Sequence, residues 1–245
     1  MLILIFMSNE LTYSGKLKLI LGPMWSSKSS ALIRDYNRYT IANKRCFMIK
    51  YSKDTRYDDA SVTTHDGVKV NAFPCTHLFE ADHLVKNYDV ICIDEIQFYK
   101  DAFIFCDKWC NMGLIVIACG LNGTFNRTPF PVISRLIPLA ENITFRTAIC
   151  KDTGDDAVYS NINIKVPENE VEIIGGAELY NAVDRRTYYK DKQFYTPELI
   201  REFAEIYMSA NDIKVSSKII DEFINKFDSR DMDLVKSLEV YTSLV

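Results

Sequence analysis

The stretch from Lys16 to Ala31, KLKLILGPMWSSKSSA, constrains the chain more than any other. Apolar and polar residues alternate up to Ile20 and Leu21, as in a short buried strand. Gly22 then opens a tight turn, and the run from about Lys28 has helical character. Strand, loop and helix in that order can build an anion cradle. It needs a glycine, four residues, a second glycine, a lysine and a serine or threonine, so that amides wrap a phosphate while the lysine and hydroxyl reach the terminal phosphates and a magnesium ion. Gly22, Lys28 and Ser29 stand at those places, with Pro23, Met24, Trp25 and Ser26 between them and Ser30 just beyond. Ser27 replaces the second glycine. If that position requires a left-handed backbone, a Cβ costs about 1–2 kcal/mol there, which a tight phosphate contact outweighs. The competing interpretation is a serine-rich helix cap beside a solvated lysine.

The following residues supply the context such a loop needs. From Ser29 to Asn43, Leu32, Ile33, Tyr36, Tyr39 and Ile41 recur at mostly helical spacing, and Arg45 to Ile49 reads as a second buried strand, giving a βαβ unit with the loop at its first turn. Lys50 to Gly67 is polar and turn-rich and contains Arg56, His65 and Asp66; a loop after a strand of an α/β fold lies at the ligand edge of the sheet. His65 has no second ligand at metal spacing nearby and reads as a loop hydrogen-bonder. Tyr88 to Asp94, YDVICID, is an apolar run ending in an acid. Beside a phosphate loop, an acid in that place completes a magnesium shell, and Glu95, next in line, faces the phosphoryl acceptor and can take a proton from a hydroxyl. A solvated strand-end acidic pair is the bland alternative. Phe103 to Met112 reads as a helix whose Phe103, Cys106 and Cys110 form a core face rather than a metal site. Leu114 to Cys119 is a further buried strand, followed by a loop in which Phe125 and Phe130 lie either beneath a flat ring or in the core.

The totals bound the rest. A chain of 245 residues accommodates one core of about 150–200 residues with an appendage, or two small domains. A net charge of -4 offers no broad basic surface, so no nucleic-acid partner is expected. Seven cysteines without regular spacing read as free thiols in a reducing compartment. The opening MLILIFM is too short for a membrane span and lacks the flanks of a signal peptide. These features predict a cytoplasmic protein without a membrane partner.

Five blocks, GPMWSSKSS, KYSKDTRY with its THD, IDEIQF, GLNGTFNRTPFP and IIGGAELY, occur in order between Lys16 and Tyr189 and together resemble the type II thymidine kinases, the cytosolic and poxviral kind. The resemblance implies an α/β fold, a RecA-like P-loop domain with a parallel sheet over residues 16–149 and a small C-terminal lasso lobe over 150–190. It implies magnesium-assisted transfer of the γ-phosphoryl group of ATP to the 5′-hydroxyl of thymidine or deoxyuridine. By the same resemblance Lys28 and Ser29 hold phosphate and magnesium, Asp94 binds the ion, Glu95 is the general base, Arg56 lies near the phosphates and Gln97 sits close to the same path. The implied base pocket comprises Met24, Phe98, Leu121, Phe125, Phe130 and Tyr180, with backbone contacts at Thr124 and Phe125 and from Ile173 through Ile174 to Gly175. A homodimer or homotetramer and feedback by thymidine triphosphate are further implications.

Two departures qualify the likeness. Ser27 is the first. The second is the zinc site that holds the small lobe in this family, whose positions read here Cys150, Thr153, Asp184 and Thr187. Only Cys150 is retained and threonine is not a structural zinc ligand, so no zinc is expected. These departures motivate a rival reading, a catalytically impaired relative that binds nucleotide as a regulatory module. A P-loop ATPase acting on nucleic acid fits an acidic chain poorly.

Residues 191–245 lie beyond the family pattern. Thr196-Pro197-Glu198 is a helix start, and Leu199, Ile200, Phe203, Ile206 and Tyr207 form an apolar face. A second face follows Ser216 and Ser217 at Ile219, Ile220, Phe223, Ile224 and Phe227, and a third lies at Leu234, Val235 and Leu238. Such stripes must be buried on the body of the chain, on one another or on a partner, and the expectation is a helical tail that braces the zinc-free lobe.

Overall fold

The computed structural model describes residues 15–54, 61–63, 67–163, 179–190, 195–214, 216–227 and 233–243. Through the first half the elements are β1 (Lys16–Gly22), α1 (Lys28–Ile41), β2 (Cys46–Tyr51), β3 (Ser61–Thr63), β4 (Lys69–Asn71), β5 (Phe73–Cys75), α2 (Asp82–Val85), β6 (Val90–Ile93), α3 (Ala102–Asn111) and β7 (Ile115–Leu121). There follow α4 (Pro131–Leu136), β8 (Asn142–Phe145), β9 (Ala148–Ile149), β10 (Asp156–Ala157), β11 (Tyr159–Ile162), β12 (Tyr180–Val183), α5 (Arg185–Tyr188), α6 (Pro197–Ala210), α7 (Ser217–Lys226) and α8 (Leu234–Ser243). The chain divides into two compact units, one ending at Arg185 and the other beginning at Arg186.

In the first unit six parallel strands form one sheet in the order β5-β2-β6-β7-β1-β8. Parallel strands are covered on both faces, so their residues are apolar almost without interruption and alternate between two cores. Leu17, Leu19 and Leu21 of β1 join Ile91, Ile93, Val116 and Ala118 on the face covered by Ala102, Cys106 and Trp109 of α3 and by Val132, Ile133 and Leu136 of α4. Ile20, Met48, Val90, Cys92, Ile117 and Cys119 face the other way and pack against Ala31, Leu32 and Ile33 of α1. The edges are β5, whose Pro74 suits a strand with one unpaired side, and β8, exposed along its whole length. The α/β expectation holds, with Cys106 buried in the core as its helical spacing suggests. Among the described residues, three short antiparallel strand pairs accompany the sheet: β3 with β4, β9 with β10, and β11 with β12. All seven cysteines are free.

The second unit contains its own core. Ile200, Ala204 and Met208 of α6 meet Ile220 and Phe223 of α7 and Leu234 and Leu238 of α8, so the tail helices pack on one another. Leu199, Ile206 and Val235 of the expected stripes stay exposed, however, while Ala204 and Met208, outside them, are buried. The Thr196 side chain caps α6, accepting from the Leu199 amide at 3.3 Å. No helix among the described residues is long and apolar enough to cross a membrane.

One charged group lies under α1. Asp35 is 5% exposed and accepts from Lys18 Nζ of β1 and from Arg38 Nη1, each at 3.0 Å. Burial alone raises its pKa, but the Lys18 and Arg38 contacts outweigh that and hold the carboxyl below its ordinary value. A group depressed in the folded state contributes stability in full above its unfolded pKa of about 4, and the contribution is lost as pH falls through the folded value. Asp35→Asn is expected to lower stability by about 1–3 kcal/mol at pH 7, read by denaturant titration, and to flatten the decline of stability below about pH 4.

Candidate functional site

The phosphate loop leaves β1 through Gly22. A Cβ there would stand 2.3 Å from the Arg146 carbonyl oxygen and 2.7 Å from Ser26 Oγ, so only glycine fits. The loop closes on itself: Ser26 Oγ donates to the Pro23 carbonyl at 2.8 Å, and Lys28 Nζ donates to the same oxygen at 2.6 Å. Arg146 grips it from outside, its Nε donating to the Ser26 carbonyl at 2.8 Å. Ser27 has φ 56° and ψ 36°, the left-handed region that the missing glycine would occupy freely, and its side chain makes no capping bond to α1. The loop therefore has the shape its sequence only partly announces, and the first amides of a 14-residue helix end at its mouth, where an anion is favoured.

Opposite the loop stand the acids. Ser29 Oγ donates to Asp94 Oδ1 at 3.1 Å, a contact that spans β7, since β1 and β6 flank that strand. Cys119 of β7 sits between and donates its thiol to Asp94 Oδ1 at 2.8 Å. Burial, then the charge of Asp94, pushes the Cys119 thiol pKa well up, so it stays protonated and serves as a donor. Strand alternation would turn Glu95 away from Asp94, but Glu95 takes φ 53°, and this left-handed turn lets both acids line one cleft. Gln97 is 5% exposed and works on Glu95: its Nε2 donates to Glu95 Oε2 at 2.7 Å while its Oε1 accepts from the Leu121 amide at 3.1 Å. Gly120 makes room, because a Cβ there would lie 2.4 Å from Gln97 Oε1.

Lys28, Ser29, Ser30, Asp94 and Glu95 thus line a single cleft with Met24, Trp25, Ser26 and Ser27. Lys50, at 5% exposure near the end of β2, lines it too, as do Tyr51, Asp54 and the β3 residues Ser61 to Thr63. Ser29 and Asp94 are the hard oxygen donors that magnesium accepts alongside phosphate oxygens. Beside the loop, Met24, Phe125 and Tyr180 form a buried apolar cluster against which Leu121 packs. Phe125 belongs to that cluster, while Phe130 packs in the main core ahead of α4. Phe98 stacks on Tyr51 at 5.0 Å, and Thr124 closes its own turn through Thr128 Oγ1 at 2.6 Å. Arg56, His65, Asp66 and the segment from Ile173 to Gly175 lie outside the described residues.

At the zinc positions, Thr153 Oγ1 donates to Asp184 Oδ2 at 2.7 Å and Cys150 is buried. A hydroxyl that donates a hydrogen bond to the neighbouring carboxylate does not fit a structural zinc site, which takes thiolates and imidazoles. Sequence reasoning missed Cys119, Arg146, Lys50 and Ser160, whose Oγ accepts from the Met24 amide at 3.0 Å. Lys50 carried a signal, since it opens the KYSKDTRY block. Arg146 and Ser160 carried none, because their partners in the loop, Ser26 and Met24, lie 120 and 136 positions away in the chain.

A family model for thymidine kinase matches residues 15–188. The thymidine kinase of Myxoma virus is 42% identical over 177 residues, covering 72% of this chain and 98% of that protein. The human cytosolic thymidine kinase is 43% identical over 176 residues, covering 72% of this chain and 74% of its own length. Thymidine kinase 1 of Dictyostelium discoideum is 42% identical over 183 residues, covering 73% and 80% respectively.

Ser27 offers a direct test of loop strain. Ser27→Gly relieves a Cβ in the left-handed region and sacrifices no cap bond, so it is expected to stabilise the protein by about 1 kcal/mol, whereas Ser27→Ala is expected not to; thermal melts compare the two.

Proposed function

The chain belongs to the thymidine kinase family, and from that premise we propose that it transfers the γ-phosphoryl group of ATP to the 5′-hydroxyl of thymidine or deoxyuridine. The observation that carries this reading is the cleft in which the phosphate loop, Lys28, the Ser29–Asp94 pair and Glu95 converge. Phosphoryl transfer asks little covalent work of a protein, so positioning and charge neutralisation do most of it.

In this reading the loop amides and Lys28 hold the donor phosphates in line with the acceptor. Ser29 and Asp94 would hold magnesium, which would offset negative charge on the phosphates. The nucleoside base lies against Met24, Phe125 and Tyr180, which directs its sugar hydroxyl to Glu95. Gln97 fixes one oxygen of Glu95 and so sets the direction of the other. The Glu95 carboxylate takes the hydroxyl proton as that oxygen bonds to the γ-phosphorus and the bond to the leaving ADP oxygen breaks. Arg56 is assigned to the phosphates by resemblance alone. The left-handed Ser27 supports an active enzyme over the impaired relative, because the replaced glycine has not cost the loop its conformation. Feedback by thymidine triphosphate, a homo-oligomer and a cytoplasmic location belong to the same proposal.

Transfer of labelled γ-phosphate from ATP to thymidine, with deoxycytidine as control, tests the activity; no labelled thymidine monophosphate would overturn it. Glu95→Gln is expected to cut turnover by about tenfold or more with ATP affinity little changed, and wild-type turnover would remove Glu95 from the mechanism. The small lobe is proposed to be zinc-free: a zinc-selective chelator with magnesium resupplied is expected to leave both melting temperature and thymidine affinity where they were.

A further inference from the structure

Two neighbouring residues at the tip of the phosphate loop reach out of it. The Met24 amide donates to Ser160 Oγ on β11 at 3.0 Å, and the Trp25 indole N–H donates to the Tyr180 carbonyl on β12 at 3.1 Å. Ser160 and Tyr180 lie on the paired strands of one hairpin, in which Ser160 faces Ala182 and Tyr180 faces Ile162. The loop tip therefore holds both strands at once. Tyr180 has a second contact with the site, since its ring packs with Met24 and Phe125, 6.5 Å from the Phe125 ring centre. The phosphate loop and the apolar cluster thus share a hydrogen-bonded frame.

The backbone of Trp25 indicates that this frame is held under tension. Its φ is 64°, a region costly for any residue with a bulky side chain, and such conformations persist only where the surroundings enforce them. The indole is the part that reaches the hairpin. Among aromatic side chains only tryptophan puts a donor N–H at that place on the ring, and phenylalanine would keep most of the packing while leaving the Tyr180 carbonyl without this donor.

We infer that Trp25 is a positioning residue that couples the two substrate sites: filling the phosphate loop fixes Trp25, Trp25 fixes the β11–β12 hairpin through Tyr180, and the hairpin in turn fixes the nucleoside pocket. The coupling works in both directions, as linkage requires. With a Thr153–Asp184 hydrogen bond at two of the positions where metal would cross-link the lobe, these two bonds to the loop carry a correspondingly larger share of its placement. The inference rests on the thymidine kinase reading.

Titration calorimetry on the full chain tests it, measuring thymidine affinity with and without a non-hydrolysable ATP analogue and magnesium. In the wild type the analogue is expected to tighten thymidine by about tenfold, within the usual range of site-to-site coupling. In Trp25→Phe the gain is expected to shrink to about twofold or less, and in steady state the thymidine KM is expected to rise by roughly tenfold with a smaller change in kcat. Ser160→Ala, which removes the acceptor of the Met24 amide, is expected to reduce the coupling independently and carries the test if Trp25→Phe fails to fold. Wild-type coupling and KM in both variants, or no coupling in the wild type, overturns the inference. A wild type that phosphorylates thymidine without coupling overturns this inference alone, whereas one that neither binds nor phosphorylates thymidine overturns the kinase reading with it.

Discussion

The site depends on one carboxylate being approached from two strands. Asp94 receives the Ser29 hydroxyl from the helix after β1 and the Cys119 thiol from β7, and it stands just past the end of β6. Those three strands are neighbours in the sheet. The parallel pairing that sets them side by side also sets the spacing between loop and acid, and no separate device is needed to hold the two apart. The residue beneath the contact must be small and able to donate a hydrogen bond, and cysteine satisfies both demands without introducing a charge.

Around that contact the backbone is bent against its preferences. Trp25, Ser27 and Glu95 all take positive φ, and none is glycine. Each of these positions costs on the order of 1–3 kcal/mol, and their concentration at one cleft is the usual mark of a working site rather than of a packing solution. Glu95 shows what is gained: extended backbone would put it on the opposite face from Asp94, while a single left-handed residue brings both acids to one opening.

Much of this was legible in the order of residues. The strand, loop and helix at Lys16 to Ile41, the acid after the β6 run and the tail helices follow from periodicity and punctuation, which local sequence carries directly. Ser27 departs from the motif in residue type, but the requirement is a left-handed backbone, which the spacing raises as a condition and which serine meets at some cost. Gln97, which the resemblance sets close to the phosphate path, hydrogen-bonds Glu95 and the Leu121 amide, an arrangement that depends on Gly120 and that residue order does not carry. Phe125 and Phe130, five positions apart in one loop, part company because the second introduces a helix and turns back into the core.

The bonds at Met24 and Trp25 join residues 136 and 155 positions apart in the chain. Contacts that distant form only after most of the polypeptide exists. A ribosome-bound fragment ending short of residue 160 can therefore contain every strand of its six-stranded sheet and the full GPMWSSKSS motif while the loop tip still lacks both of these bonds. The hydrogen bonds that anchor the loop tip thus arrive late in synthesis, with β11 and β12 rather than with the motif.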